Sequence, residues 1–169
     1  APHLGGGTIE LDGDLNELEI DSDVQIVGLG AGLLTIDASG KATDFQRAFN
    51  VAAGTTATIS DVTLTGGYEV SGGAIYATGA DLTLSGVVLR DNYSTDTGGA
   101  IATVNSSLSL QHTQVIDNES AGSTGGLYFN YNSSSPGSEG LLIDGSTIAG
   151  NLSAGAAGGV RMHNSSGSS

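Results

Sequence analysis

A Gly-Gly doublet returns along this chain at a nearly constant interval, and no other feature constrains the fold as strongly. Gly72-Gly73-Ala74-Ile75, Gly98-Gly99-Ala100-Ile101, Gly125-Gly126-Leu127-Tyr128 and Gly158-Gly159-Val160-Arg161 read as copies of one motif, spaced 26, 27 and 33 residues apart. The last interval is longer because Asn132-Ser133-Ser134-Ser135-Pro136-Gly137-Ser138-Glu139 reads as an inserted loop. Between the doublets lies an eleven-residue unit: Ala57–Gly67, Leu82–Asn92, Leu108–Asn118 and Leu141–Asn151. Its third position is Ile59, Leu84, Leu110 or Ile143, its eighth Leu64, Leu89, Val115 or Ile148, and its last Gly67, Asn92, Asn118 or Asn151. A period of this size marks a solenoid, whose repeats bury their apolar faces only against their neighbours.

Within a repeat, short stretches such as Ala74-Ile75-Tyr76-Ala77, Leu82-Thr83-Leu84 and Val87-Val88-Leu89 alternate apolar with small or polar residues, which is strand periodicity. Nothing sustains a helical period, and no hairpin dipeptides recur at the strand ends. The spacing therefore predicts an all-β, right-handed, single-stranded parallel β-helix of six to seven rungs of about 26 residues, with three strands per rung. The doublet glycines serve as corners, where the absence of Cβ permits positive φ or close backbone approach. Asn92, Asn118 and Asn151 are expected to stack on successive rungs, in a left-handed conformation that Asn tolerates. Residues 1–169 read as one β-helix segment, with looser rungs over 1–56 and regular repeats over 57–164, cut from a longer protein. A stack of this kind needs covered ends, supplied by the rest of the protein or by neighbouring subunits.

Composition narrows the function. The chain has 28 Gly in 169 residues, no Cys, 18 Asp or Glu against 4 Lys or Arg, and a formal charge of −14. A nucleic-acid partner is excluded because phosphate neutralisation needs clustered cations, and an anionic membrane surface is disfavoured on the same ground. No apolar run is long enough for a spanning helix. Without Cys there are no disulfides and no thiolate metal sites.

The Gly-Gly-Ala-Ile motif, followed by Leu89-Arg90-Asp91-Asn92, Val115-Ile116-Asp117-Asn118 or Ile148-Ala149-Gly150-Asn151, resembles the repeat of chlamydial polymorphic outer-membrane proteins, in which GGAI is paired with FxxN. Aliphatic residues stand here for the Phe. A closer similarity is to bacterial surface proteins of the CSLREA-domain and choice-of-anchor type. It is carried by Val24-Gln25-Ile26-Val27-Gly28-Leu29-Gly30-Ala31-Gly32-Leu33-Leu34-Thr35-Ile36 and by Thr58-Ile59-Ser60-Asp61-Val62-Thr63-Leu64-Thr65-Gly66-Gly67. The resemblance implies an exported β-helix at the bacterial cell surface or outer envelope.

Candidate chemistry is sparse. A glycosidase needs two carboxylates flanking the bond, and Asp91 and Asp117 occupy equivalent positions one rung apart, about 5 Å if aligned. They adjoin the corner Asn, where Asp is a common turn former. No cofactor is called for. Calcium is the one ion the chain could hold, through Asp12 and Asp14 or Asp21 and Asp23 in an acidic stretch that otherwise reads as a solvated face. His3, His112 and His163 read as solvated, with His112 at a turn position equivalent to Gly86. Tyr128, Phe129 and Tyr131, beside the loop Asn130–Glu139, offer an interaction surface for a protein or glycan partner, or else pack beneath that loop. The expectation is a non-enzymatic structural or interaction module of a bacterial surface protein, an adhesin, stalk or accessory subunit. The alternative is a carbohydrate-active or carbohydrate-binding β-helix.

Overall fold

Alternating apolar residues in three- to five-residue runs, each ended by a corner, leave a strand no partner within its own turn, so it pairs with the same strand of the next turn. The computed structural model, which describes residues 6–11, 17–132 and 140–165, shows that arrangement: 21 strands in four sheets, every strand pair parallel, and no helix among the described residues. The chain is a parallel β-helix. The first sheet stacks Leu18–Ile20, Phe49–Val51, Ile75–Thr78, Ile101–Val104, Leu127–Tyr131 and Val160–Asn164. The second stacks Val24–Val27, Thr56–Ser60, Asp81–Ser85, Ser107–Gln111 and Leu141–Asp144. The third stacks Gly7–Glu10, Leu34–Asp37, Thr63–Thr65, Val88–Arg90, Gln114–Ile116 and Thr147–Ala149. Six strands in a sheet are five steps, about 24 Å at one strand spacing per coil.

The regular coils carry a fourth strand that the spacing does not predict. Tyr68–Ser71, Tyr93–Thr97, Glu119–Ser120 and Leu152–Ser153 form a short sheet between the third and the first. It presents Ser94 and Ser120 inward, joined Oγ to Oγ at 2.9 Å, so it lacks the apolar alternation that marks the other strands. The earlier coil replaces this strand with an antiparallel bridge between Lys41 and Asp44.

Register follows the eleven-residue unit at each position named. Ile59, Leu84, Leu110 and Ile143 lie in one column, and Leu64, Leu89, Val115 and Ile148 in another. These columns meet inside the coil, where Ile59, Leu84, Leu110, Leu64, Leu89 and Val115 are fully buried. In the first sheet the small Ala77 and Thr103 share a column with Phe129, whose ring fills space that they leave.

Two details differ from the sequence reading. Ile75, Ile101 and Leu127 are partners in register, so the third doublet is one residue out of alignment: Gly125 matches Gly99 and Gly126 matches Ala100, at a strict 26-residue step. The position held by Gly73, Gly99 and Gly125 demands glycine in all three coils, because a Cβ there would overlap backbone carbonyl oxygens of the next coil. The second difference is at the Asn corners. The left-handed residue is the one before each Asn: Asp91 and Asp117 at φ 55° and Gly150 at φ 68°. The corner after the second sheet works likewise with Asp61, Gly86, His112 and Gly145, so His112 does stand at the Gly86 position.

Candidate functional site

Asn92, Asn118 and Asn151 form a ladder inside the third corner. The Oδ1 of Asn118 accepts from the backbone N–H of Asn92 at 3.1 Å and from its Nδ2 at 2.9 Å, and the Oδ1 of Asn151 repeats both contacts with Asn118 at 3.0 and 2.9 Å. The Oδ1 of Asn92 accepts from Gly67 N–H at 3.0 Å, extending the ladder one coil back. Each amide also donates to a main-chain carbonyl: Asn92 to Leu64, Asn118 to Leu89 and Asn151 to Val115. All three side chains are buried and fully occupied by the scaffold, so the Asn-X-Ser triplets at these positions are not open acceptor sites.

The carboxylate pair stands where the sequence reading puts it, one strand spacing apart on the surface just outside this ladder, following the register of Arg90 with Ile116. The conformation of the pair explains its presence: Asp is one of the few residues besides Gly that adopts the left-handed corner readily. The Asp91 Oδ2 takes a hydrogen bond from Arg90 Nη1 at 2.6 Å, while the Asp117 Oδ1 occupies the space a side chain on Gly150 would need. Both carboxylates are exposed.

Of the calcium candidates, Asp12 and Asp14 lie outside the described residues. Asp21 and Asp23 are exposed, and the Asp23 Oδ1 accepts from the Thr56 N–H at 2.7 Å, tying the coil of Val24–Val27 to the next one. Among the described residues no three Asp, Glu or His side chains come together as a metal site.

Strand alternation separates the three aromatics. Phe129 is 2% exposed and belongs to the core, and Tyr131 packs against that core with its ring 6.2 Å from Phe129. Only Tyr128 points outward. Its hydroxyl lies 3.0 Å from His163 Nδ1, and Arg161 sits over its ring at 5.8 Å. Burial pushes the Tyr128 phenol above its ordinary pKa, with Arg161 opposing and Asp96 adding to the rise. Residues 133–139 of the inserted loop lie outside the described residues.

A second group on the same outer face has no signature in the repeat. Arg47 pairs with Glu17 at 3.1 Å and Glu69 at 3.2 Å, donates to the Ser71 carbonyl at 2.8 Å and covers the Tyr76 ring at 5.1 Å. Arg47, Glu69, Val70, Ser71 and Tyr76 line a depression of about 180 Å³. Register places Tyr76 and Tyr128 in one outward column, two coils apart, with Ala102 between them. The signal that could have found this group is the scarcity of cations: two of the chain's four Lys and Arg, Arg47 and Arg161, each cover a tyrosine of that column. No protein-family model, curated protein or solved structure matches the chain.

Proposed function

We propose that this chain is a non-enzymatic structural or interaction module of an exported bacterial surface protein, an adhesin, stalk or accessory subunit, that presents its outer faces to a protein or glycan. The observation that carries this reading is the use the scaffold makes of its polar groups. The buried amides form the ladder, and the paired carboxylates hold left-handed corners on an exposed edge. A hydrolase needs a water-excluding site around its carboxylates, whereas a binding surface needs rigid elements that fix outward-facing side chains. The Arg47, Glu69 and Tyr76 group and the Tyr128, Arg161 and His163 group are of the second kind. The resemblance to CSLREA-domain and choice-of-anchor proteins supports the same reading and a location at the cell envelope.

The test pairs an activity screen with a location measurement. Neutral and acidic polysaccharides are incubated with the chain and with the Asp91→Asn/Asp117→Asn variant, and protease accessibility is measured on intact native cells. The proposal expects no turnover by either form and digestion of the protein from outside. Turnover that the double variant abolishes would establish the carbohydrate-active alternative, and protection from protease on intact cells would overturn the surface role.

A further inference from the structure

The outward column of the fourth sheet sets two tyrosines one above the other in the middle of the coil. It runs Tyr68, Tyr93, Glu119, Leu152, and the first two rings stack with centroids 4.6 Å apart and planes 19° from parallel. The backbone holds both residues in place. Tyr68 exchanges two hydrogen bonds of 2.8 Å with Gln46, and the Tyr93 N–H donates to the Gly67 carbonyl at 2.8 Å. The Phe45 ring meets Tyr68 edge-on at 5.4 Å, and both tyrosines are half-buried. The other three tyrosines have no such partner. Tyr76 lies under Arg47 and Tyr128 under Arg161, Ala102 separates these two in their column, and Tyr131 packs against Phe129. The chain has no Cys and no Trp, so tyrosine is the side chain from which a one-electron oxidant draws most readily.

We propose that Tyr68 and Tyr93 are a site of oxidative cross-linking, at which a haem peroxidase with hydrogen peroxide joins them as dityrosine and braces two coils covalently. Each phenol gives up one electron and one proton, leaving two phenoxyl radicals side by side. Ring carbons ortho to the two oxygens form one C–C bond, and each coupled carbon then loses its hydrogen as a proton while a proton returns to the oxygen. Two C–H bonds are exchanged for one C–C bond, and the two hydrogen atoms removed reduce one hydrogen peroxide to two waters. Stacked rings must turn for this coupling, because the new bond lies in the plane of both. Register makes the turn short: the side chains leave adjacent coils in parallel, about 4.8 Å apart, so rotation of each ring about its bond to Cβ swings the ortho carbons toward one another. Holding two radicals at that distance favours the pair over encounters between chains. The bond closes a covalent loop of one coil, as a disulfide would in a chain that had cysteines.

This inference goes beyond the surface-module reading and stands without it. The test treats the dilute purified chain with a haem peroxidase and hydrogen peroxide at neutral pH, with Tyr68→Phe, Tyr93→Phe and Tyr76→Phe in parallel. Each variant loses a hydroxyl and keeps its ring, so the coil is retained, and far-UV circular dichroism melts check this. The wild-type chain is expected to show dityrosine fluorescence in its monomer band on a denaturing gel and a mass lower by two hydrogens. Trypsin cuts at Arg90, between the two tyrosines, so the cross-link appears as a joined pair of peptides. Tyr68→Phe and Tyr93→Phe abolish the monomer signal, and Tyr76→Phe keeps it. The cross-linked monomer is expected to unfold in urea at a midpoint higher by about 1 M. Four results would each overturn the proposal: no dityrosine in the wild-type chain, dityrosine confined to dimers, a monomer signal that survives either of the first two substitutions, or an unshifted midpoint.

Discussion

Replacing Asn118 by Ala removes the middle step of the buried amide ladder, and the surrounding contacts set the cost. The Asn92 backbone N–H loses the acceptor it has at 3.1 Å, and the Asn92 side-chain amide loses one of three acceptors, the others being the Leu64 and Arg90 carbonyls. The Leu89 and Ile116 carbonyls lose a donor, and the Asn151 Oδ1 keeps only the Asn118 N–H. An orphaned buried donor or acceptor costs about 1–3 kcal/mol, while groups that keep another partner lose less. One stranded N–H and several weakened partners give about 3 kcal/mol. With a urea m-value near the upper end of the usual 1–3 kcal/mol/M for a chain of this size, the midpoint falls by about 1 M. Equilibrium urea unfolding followed by far-UV circular dichroism reads that shift. Asn118→Asp sharpens the experiment, because a carboxylate would face the Leu89 and Ile116 carbonyls and the Asn151 Oδ1 with no proton to donate. That carboxyl is held protonated in the folded chain, which then binds more protons than the unfolded one, so stability falls as pH rises. Asn118→Asp is therefore worse than Asn118→Ala at neutral pH, and the gap narrows on acidification. A midpoint shift under about 0.3 M for Asn118→Ala would show that the ladder does not bear the corner as described.

Three further outcomes follow from the coil. Gly99→Ala drives a Cβ into the Gly125 and Glu119 carbonyls and should cost about 3 kcal/mol in urea unfolding, whereas Gly32→Ala, with nothing near its Cβ position, should gain about 0.4–1 kcal/mol. Leu110→Ala, fully buried, should cost about 2–5 kcal/mol, and the equivalent Ile143→Ala on the open last coil well under half of that, by the same unfolding assay. Burial first, then the neighbouring Tyr68 and Glu119, push the Tyr93 phenol above its ordinary pKa. The unfolded chain thus loses this proton first, and stability that is intact below about pH 10 declines as pH rises through the folded value. Tyr93→Phe should flatten that decline in urea midpoints measured across the alkaline range.

The parts of the fold legible in the sequence are those in which packing forces a residue type. Ile59, Leu84, Leu110 and Ile143 announce their column because it is filled by aliphatic side chains in every coil. The fourth sheet is silent because Ser94 and Ser120 replace apolar residues inside it and two of its strands are only two residues long. The doublet alignment slips at Gly125 because two adjacent glycines match a motif equally well in either register, and only the pairing of Ile101 with Leu127 decides between them. Strand parity already separates Tyr128 from Phe129, since neighbours on a strand face opposite sides. The Arg47 group could not be read from the repeat, because Tyr76 is its one member on a repeat strand, while the others come from the chain before the first strand of the first sheet, from a corner and from the fourth sheet.

The central claim is the parallel stacking of coils at a 26-residue step, and disulfide trapping tests it directly because the chain has no Cys of its own. Thr83 and Ser109 are outward-facing partners on adjacent coils of the second sheet, and Ser85 and Gln111 are the next such pair. Strands in this sheet lie about 4.8 Å apart, within the Cα separation a disulfide spans, whereas Ser85 and Ser107 are displaced by four residues along the strand, about 13 Å. Mild oxidation of Thr83→Cys/Ser109→Cys and of Ser85→Cys/Gln111→Cys should close an intramolecular disulfide in the folded chain, read by mass and gel mobility, and Ser85→Cys/Ser107→Cys should not. Equal trapping of the displaced pair, or failure of both aligned pairs, would contradict the coil.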